Sequence, residues 1–333
     1  MIDLNHKIVD KFGRNHDYLR ISLTERCNLR CFYCMPEEGI ALRDKAEFMS
    51  SEEVLEIAQT FVDMGVKKIR LTGGEPLIKK DAKNLLLNLG KLPVELAITT
   101  NGVLVDQFID TFKAAGIRAV NVSLDSLDEE SFNKISRRNY FKRIRSNIDL
   151  LIEHGFHVKV NVVVIRDMNE HEIPDFIRWS KEQPIHIRFI EFMPFDGNKW
   201  NWDKKVSYRE MLSIAEAEFG ETAINKIKSK KNDTARVYQL NKGLGTFGFI
   251  SSVTNPFCDT CNRIRLTADG KIKNCLFSQD ETDLLKALRN GNEIKSLIRS
   301  TIFDKKKERG GMIDFNEDFV KSDKNRSMVS IGG

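Results

Sequence analysis

Six cysteines fall into two triples with none left over. Cys27, Cys31 and Cys34 form a C-x3-C-x2-C run, and Cys258, Cys261 and Cys275 form a C-x2-C-x13-C run. A structural zinc site takes four ligands, and a [4Fe–4S] cube has four irons for four thiolates to close. A triple leaves one iron of a cube open to something else, so the count points to reactive rather than architectural metal. A zinc knuckle or a redox loop with a stray third cysteine is the competing reading of the first triple. Against it stands Thr72-Gly73-Gly74-Glu75-Pro76. Glycines there admit a close backbone approach to a ligand, and Glu75 can pair with a substrate ammonium.

These residues need a frame. Residues 18–23, 68–71, 95–99, 119–124, 157–165 and 185–190 read as strands, with amphipathic stretches between them. The helix expected over 51–64 starts on a Ser/Glu signal and stops at Gly65, and Gly116 and Gly155 end two later helices in the same way. Strands separated by helices pair in parallel through right-handed crossovers. The fold class is therefore α/β: a partial (β/α)6 TIM-like barrel, about three-quarters of the eight-stranded form.

The strands alternate. Arg20, Ser22 and Thr24 interleave with Leu19, Ile21 and Leu23; Arg70 and Thr72, Asn121 and Ser123, and Lys159 and Asn161 follow suit. Parallel strands covered on both faces read as continuous apolar runs. Here the apolar set must meet the helices, so the polar set faces the lumen and a polar ligand is expected there. A solvent-exposed antiparallel sheet would alternate too, but it conflicts with the intervening helices. After 190 the rhythm changes: a charged helical stretch with Trp200 and Trp202, a hairpin over 233–253, then helices and a polar tail. The expected division is a barrel over 1–195 and a C-terminal α+β region over 196–333, packed on the barrel and carrying the second triple.

Composition narrows the class of partner. The 333 residues are 41% hydrophobic and 30% charged, with 53 basic and 48 acidic side chains and a net charge of +5. That excess is too small to mark a nucleic-acid binder and suits a polyanionic small substrate. The basic runs at 226–231 and 305–309 read as solvated faces. The start lacks the apolar core of a signal peptide, and no apolar run reaches the roughly 18 residues of a membrane span. A cytoplasmic protein is expected, its cysteines thiols or metal ligands rather than disulfides.

The first triple, with Tyr33 before its last cysteine, and the Gly-Gly-Glu-Pro segment together resemble the radical S-adenosylmethionine (SAM) signature. The second triple narrows the likeness. Cys258-Asp259-Thr260-Cys261-Asn262-Arg263-Ile264-Arg265, leading to Cys275-Leu276-Phe277, resembles the molybdenum cofactor biosynthesis protein A family, the GTP 3′,8-cyclases. Phe12-Gly13-Arg14, Thr99-Thr100-Asn101-Gly102, Ser123-Leu124-Asp125-Ser126-Leu127-Asp128, Ile135-Ser136-Arg137-Arg138 and Ile331-Gly332-Gly333 agree with it. The likeness is best over 12–165 and 185–278; nothing is carried over at 195–235 or 280–325.

The resemblance implies a carbon–carbon lyase with two [4Fe–4S] clusters and SAM, converting GTP to 3′,8-cyclo-7,8-dihydro-GTP in molybdenum cofactor biosynthesis. It implies SAM contacts from Tyr33 (backbone), Gly74, Glu75, Ser123 and Met193. GTP contacts fall to Arg20, Arg70, Thr99, Lys159, Arg188, Arg263, Ile264 and Arg265, with Arg263 and Arg265 also catalytic. Cys27, Cys31 and Cys34 hold the SAM-cleaving cluster; Cys258, Cys261 and Cys275 hold a second, whose open iron meets the guanine. An external one-electron donor, hand-over of product to the next molybdopterin-synthesis enzyme and a homodimer complete the implied partners, with no nucleic acid and no membrane. The alternatives are another radical SAM enzyme with an auxiliary cluster, such as a peptide-maturing one, and a zinc-dependent nucleic-acid-binding protein.

Overall fold

The computed structural model describes residues 7–36, 39–40, 43–198, 200–228, 232–312 and 325–332. The expected strands are all present, each end within one residue: β1 (Tyr18–Ser22), β2 (Lys68–Thr72), β3 (Glu95–Thr100), β4 (Ala119–Ser123), β5 (His157–Val164) and β6 (His186–Glu191). Between them lie α1 (Ser51–Asp63), α2 (Ala82–Leu89), α3 (Ile109–Ala114), α4 (Glu129–Ser136), α5 (Phe141–Glu153) and α6 (Ile173–Glu182). A reciprocal Ser50–Glu53 capping box starts α1. Gly65 ends it at φ 94°, a left-handed conformation that glycine adopts at little cost.

The C-terminal region does more than pack on the barrel. It contributes α7 (Tyr208–Phe219), then β7 (Ile224–Lys226), β8 (Arg236–Leu240), β9 (Thr246–Ile250), β10 (Arg263–Leu266), β11 (Lys271–Lys273) and β12 (Thr282–Asp283). It ends in α8 (Leu284–Arg289), α9 (Ile294–Phe303) and α10 (Met328–Ile331). The strands join one sheet in the order β12-β11-β10-β1-β2-β3-β4-β5-β6-β9-β8-β7. Both β10 on β1 and β9 on β6 are parallel pairings, so eight parallel strands run side by side. The sequence reading finds six of them. Of the other two, β10 follows a cysteine loop and β9 is the second strand of the hairpin expected over 233–253, and their parallel partners lie far away in the chain.

Register sets the lumen. Arg265, Arg20 and Arg70 are successive partners across β10, β1 and β2. Further round, Thr99, Asn121, Lys159 and His186 align across β3 to β6. The opposite faces supply Leu19, Ile69, Ile98, Val120, Val160 and Phe189, buried against Ile57, Phe61, Leu86, Phe112 and Phe176. Each such side chain contributes about 1.5–3 kcal/mol by leaving water, and that core holds the polar face open. No helix among the described residues is long and apolar enough to cross a membrane.

Candidate active site

The first triple occupies the loop after β1. Backbone N–H groups of Cys34 and Met35 both donate to the Cys31 carbonyl at 3.0 Å, closing a tight turn. Gly74 N–H donates to Thr24 O at 2.6 Å and Glu75 N–H to Arg26 O at 2.8 Å. A Cβ on Gly74 would lie 2.3 Å from Arg26 O, so this glycine lets two backbones meet. Glu75 is fully buried. Its carboxylate accepts from Leu77 N–H (3.0 Å), Thr100 Oγ1 (2.8 Å) and Asn101 N–H (2.6 Å). Asn101 in turn donates to the Cys27 sulfur at 3.6 Å. Glu75 therefore ties the Gly-Gly-Glu-Pro turn to the Thr-Thr-Asn-Gly turn, leaving only residual acceptor capacity for a ligand.

Burial governs the charge state here. It pushes Glu75 up to about 7 and Asp125 up to about 6. Asp125 accepts from Tyr33 Oη at 2.6 Å and from Val163 N–H at 2.8 Å, fixing the cluster loop to β4 and β5. Burial also pushes the Cys27 thiol up to about 11, with Glu75 adding to it, and drives Cys31 and Cys34 higher still. Buried thiols beside carboxylates become thiolates only when a metal compensates them, so this donor set fits a cluster. Ser123 is half-buried at the end of β4.

The second triple differs at Cys261, while burial raises the Cys258 thiol as it does those of the first triple. Cys258 and Cys261 precede β10, and Cys275 follows β11. The Cys261 sulfur accepts from Arg263 Nη2 at 3.1 Å and Lys305 Nζ at 3.3 Å. Burial alone would raise this thiol, but the two cations outweigh it and hold Cys261 down at about 6. The Arg309 N–H donates to the Cys258 sulfur at 3.4 Å. Arg14, held by Asp10 at 2.5 Å, donates to the carbonyls of Cys258 (2.9 Å) and Lys307 (2.7 Å). Among the described residues no three His, Cys, Asp or Glu side chains close on one point as a single ion needs.

Between this triple and the barrel wall lies a cavity of about 1020 Å³, counted out to its open mouth. Arg20, Thr99, Arg188, Arg263, Arg265 and Met193 all face it. Several buried polar atoms of this wall have no partner: Arg20 Nε, Arg188 Nε and Nη2, Asn121 Oδ1 and Asn161 Oδ1. Burial, with neighbouring cations, pulls Arg188 down to about 9 and Lys159 to about 8, and depresses Arg20 and Arg265 as well. Asp233 offsets only part of the charge at Arg188 and Lys159; buried cations are costly when uncompensated, and an anionic ligand would reduce that cost.

Other expected residues sit differently. Arg70 is tied to Tyr18 Oη at 2.7 Å and Ile98 O at 2.9 Å. Arg70 and Lys159 share the lumen face without lining the cavity. The Ile264 side chain points into the apolar core. Met193 also packs against the cluster of Phe195, Phe277, Met312 and Ile331.

Sequence reasoning missed Tyr18 and Lys305. Burial raises the Tyr18 phenol, but Arg20, Arg70 and Lys68 together pull it down to about 7. The run 305–309 was expected to be solvated, yet Lys305 is 2% exposed; its helix-to-loop position carries no local signal.

The C-terminal segment links the two triples. Val329 N–H donates to Cys34 O at 3.4 Å, and Gly332 O accepts from Arg265 Nη1 at 2.5 Å. Gly332 adopts φ 85°, and a Cβ there would lie 2.8 Å from both Ser22 Cβ and Thr72 Oγ1. Upstream, Arg326 grips Asp269 with two bonds of 3.0 and 2.9 Å and Glu281 with one of 2.6 Å. Gly333, the last residue of the expected tail, lies outside the described residues.

Two family models match: the radical SAM superfamily over residues 21–180 and Molybdenum Cofactor Synthesis C over 185–310. The mitochondrial GTP 3′,8-cyclase of Arabidopsis thaliana is 43% identical, covering 98% of this chain and 83% of that one. The GTP 3′,8-cyclase of Thermodesulfovibrio yellowstonii is 45% identical, covering 88% and 92%. Human molybdenum cofactor biosynthesis protein 1 is 43% identical over 97% of this chain and 51% of its own. The chain thus spans about half the length of the first curated relatives it matches. Among solved structures, Streptococcus suis SuiB bound to S-adenosylmethionine shares the fold at a TM-score of 0.65. It is 15% identical and covers 95% of this chain and 72% of that one. With two cyclases above 40% identity, each covered over more than four-fifths of its length, the chain belongs to the GTP 3′,8-cyclase family of radical SAM proteins.

Proposed function

We propose that this protein converts GTP to 3′,8-cyclo-7,8-dihydro-GTP for molybdenum cofactor biosynthesis. The observation that carries the reading is the cavity in which Arg20 and Arg188, with Arg20 Nε and Arg188 Nε and Nη2 unpartnered, face the second cysteine triple. A cluster on Cys27, Cys31 and Cys34 with SAM supplies, when bound, a carbon radical able to remove a ribose hydrogen. The chain's own work is to bind, orient and exclude water.

Tyr33, Gly74, Glu75, Ser123 and Met193 hold SAM against the first loop. Arg20, Arg70, Lys159 and Arg188 compensate the triphosphate, with Thr99 between them. Cys258, Cys261 and Cys275 hold the second cluster, beside which Arg263 and Arg265 fix the guanine. The conversion joins ribose C3′ to guanine C8. Gripping the nucleotide at both ends keeps those two atoms together, and the inserted tail narrows the space left for water. The barrel over 1–195 then holds SAM and the triphosphate, and the region over 196–333 supplies the second cluster and the contacts to the guanine. Six free cysteines suit a compartment that keeps thiols reduced, such as the cytoplasm. An external one-electron donor, a homodimer and hand-over to the next molybdopterin-synthesis enzyme belong to the same reading.

Anaerobic 5′-deoxyadenosine release with reconstituted clusters tests it. GTP, and not ATP, should stimulate release strongly. Release indifferent to GTP would sink the substrate, and no release from protein with both clusters intact would sink the radical reading.

A further inference from the structure

The two triples differ most in what touches their sulfurs. Lys305 follows α9, its N–H donating to Ile302 O at 3.1 Å. The side chain is buried, and among the described residues its Nζ bonds the Cys261 sulfur at 3.3 Å and the Arg263 carbonyl at 3.0 Å. Among the described residues no carboxylate lies within ion-pair distance of it. A buried ammonium without a counter-ion is costly, so the thiolate set it touches must supply the compensating charge. At the first triple, the donors to Cys27 sulfur are the neutral Leu29 N–H at 3.4 Å and Asn101 Nδ2 at 3.6 Å. Arg30 reaches the Cys27 carbonyl, not its sulfur.

We propose that Lys305 raises the reduction potential of the second cluster through a charge-assisted hydrogen bond to the Cys261 sulfur. The inference rests on reading Cys258, Cys261 and Cys275 as cluster ligands. Adding one electron makes a cluster more negative, and a cation bonded to a ligand sulfur stabilises that form. Hydrogen bonds to sulfur and local charge are the levers that set such potentials. Lys305 acts through the ligand sulfur and is a positioning residue.

The test is anaerobic potentiometric titration of the holoenzyme, followed by electron paramagnetic resonance without nucleotide, so that no substrate contact enters. The second cluster's signal is identified in a form carrying Cys27→Ser, Cys31→Ser and Cys34→Ser. Lys305→Met should lower the reduced-to-oxidised ratio of that cluster about tenfold at fixed potential, about 59 mV for one electron. Lys305→Gln, of similar reach but uncharged, should move it the same way and covers the case in which the methionine form loses its cluster. Lys305→Arg should restore the parental value, and the first cluster should not move. A parental potential in the methionine or glutamine form, or an equal shift in the arginine form, would overturn the proposal. If the parent shows no cluster at the second triple, the ligand reading itself fails, a result distinct from an unshifted potential.

Discussion

The loop of the first triple and the loop of the second hold the same number of cysteines, in fields that part company at Cys261. Around Cys27, Cys31 and Cys34 burial and the carboxylates of Glu75 and Asp125 outweigh Asn101 and Arg30, and all three thiols are pushed up. Around Cys261 they are Arg263 and Lys305, and the thiol is pulled down. The first field suits an electron-rich centre poised to give an electron away. The second suits a centre that meets an anionic substrate, since the cations that settle its sulfur line the same cavity as Arg20 and Arg188. Division of labour is thus written into the electrostatics as well as the fold.

The harshest way to break this contrast is to remove one ligand from each side. Cys27→Ser should take 5′-deoxyadenosine release to background with or without GTP. Cys261→Ser should leave basal release and lose its stimulation by GTP. Product analysis by chromatography reads both, and equal loss in the two forms would end the idea that the loops have separate duties.

A smaller effect is expected from the cations. Arg263→Ala and Arg265→Ala should keep the iron content of both clusters and lower kcat/KM for cyclisation by about 10²–10³, the usual cost of losing a preorganised donor. Arg265→Ala also frees Gly332 O, so it should exceed Arg263→Ala. Steady-state kinetics beside iron analysis checks both; near-parental turnover would remove them from the catalytic account.

On the first side the weak point is Glu75. Glu75→Ala strands Leu77 N–H, Asn101 N–H and the Thr100 hydroxyl, at about 1–3 kcal/mol for each unsatisfied group. Burial raises the parental carboxyl from 4.5 to about 7, so the folded state binds its proton more tightly than the unfolded one. The stabilisation this gives is full below pH 4.5 and is lost as pH rises through 7, up to about 3 kcal/mol. Urea titrations of cluster-free protein at pH 4.5 to 7.5 should show that decline, and Glu75→Gln should flatten it. A parallel profile in the glutamine form would assign the decline elsewhere.

The same contrast explains what could be read without coordinates. The six central strands were legible as short β-like runs between helical ones, and Arg20 and Lys159 reached the lumen because period-two alternation is local; Arg188 came from the family resemblance alone. The first triple was legible because its loop and its Gly-Gly-Glu-Pro partner are short and contiguous. The second site was legible only in part. Cys258, Cys261 and Arg263 stand together in sequence, but Arg14 arrives from the N-terminus and Lys305 from the far end of α9. No pattern around Lys305 separates a buried ammonium from a solvated one. Likewise Ile264 follows its neighbours in sequence but not in space, because alternate residues of β10 face opposite ways.

The subtlest prediction concerns the segment that joins the two regions. It touches Cys34 at one end and Arg265 at the other, and Arg326 fastens it to Asp269 and Glu281. Burial alone would raise the Asp269 carboxyl, but bonds from Arg326 and Thr267 outweigh it and hold the group at about 2. A carboxyl depressed in the folded state stabilises it above its unfolded value near 3.8, and that help fades as pH falls towards 2. The tail should therefore stay fastened through neutral and mildly acidic pH and loosen only in strong acid. Arg326→Gln should loosen it at neutral pH, speeding amide hydrogen exchange over 325–332 by about tenfold, equivalent to about 1.4 kcal/mol. Both cysteine loops should keep their protection. Unchanged exchange would mean that the contacts of Asn325, Val329 and Gly332 hold the segment without Arg326. Equal loosening at the Cys27 loop would mean that the tail braces the first region as well as bridging to the second.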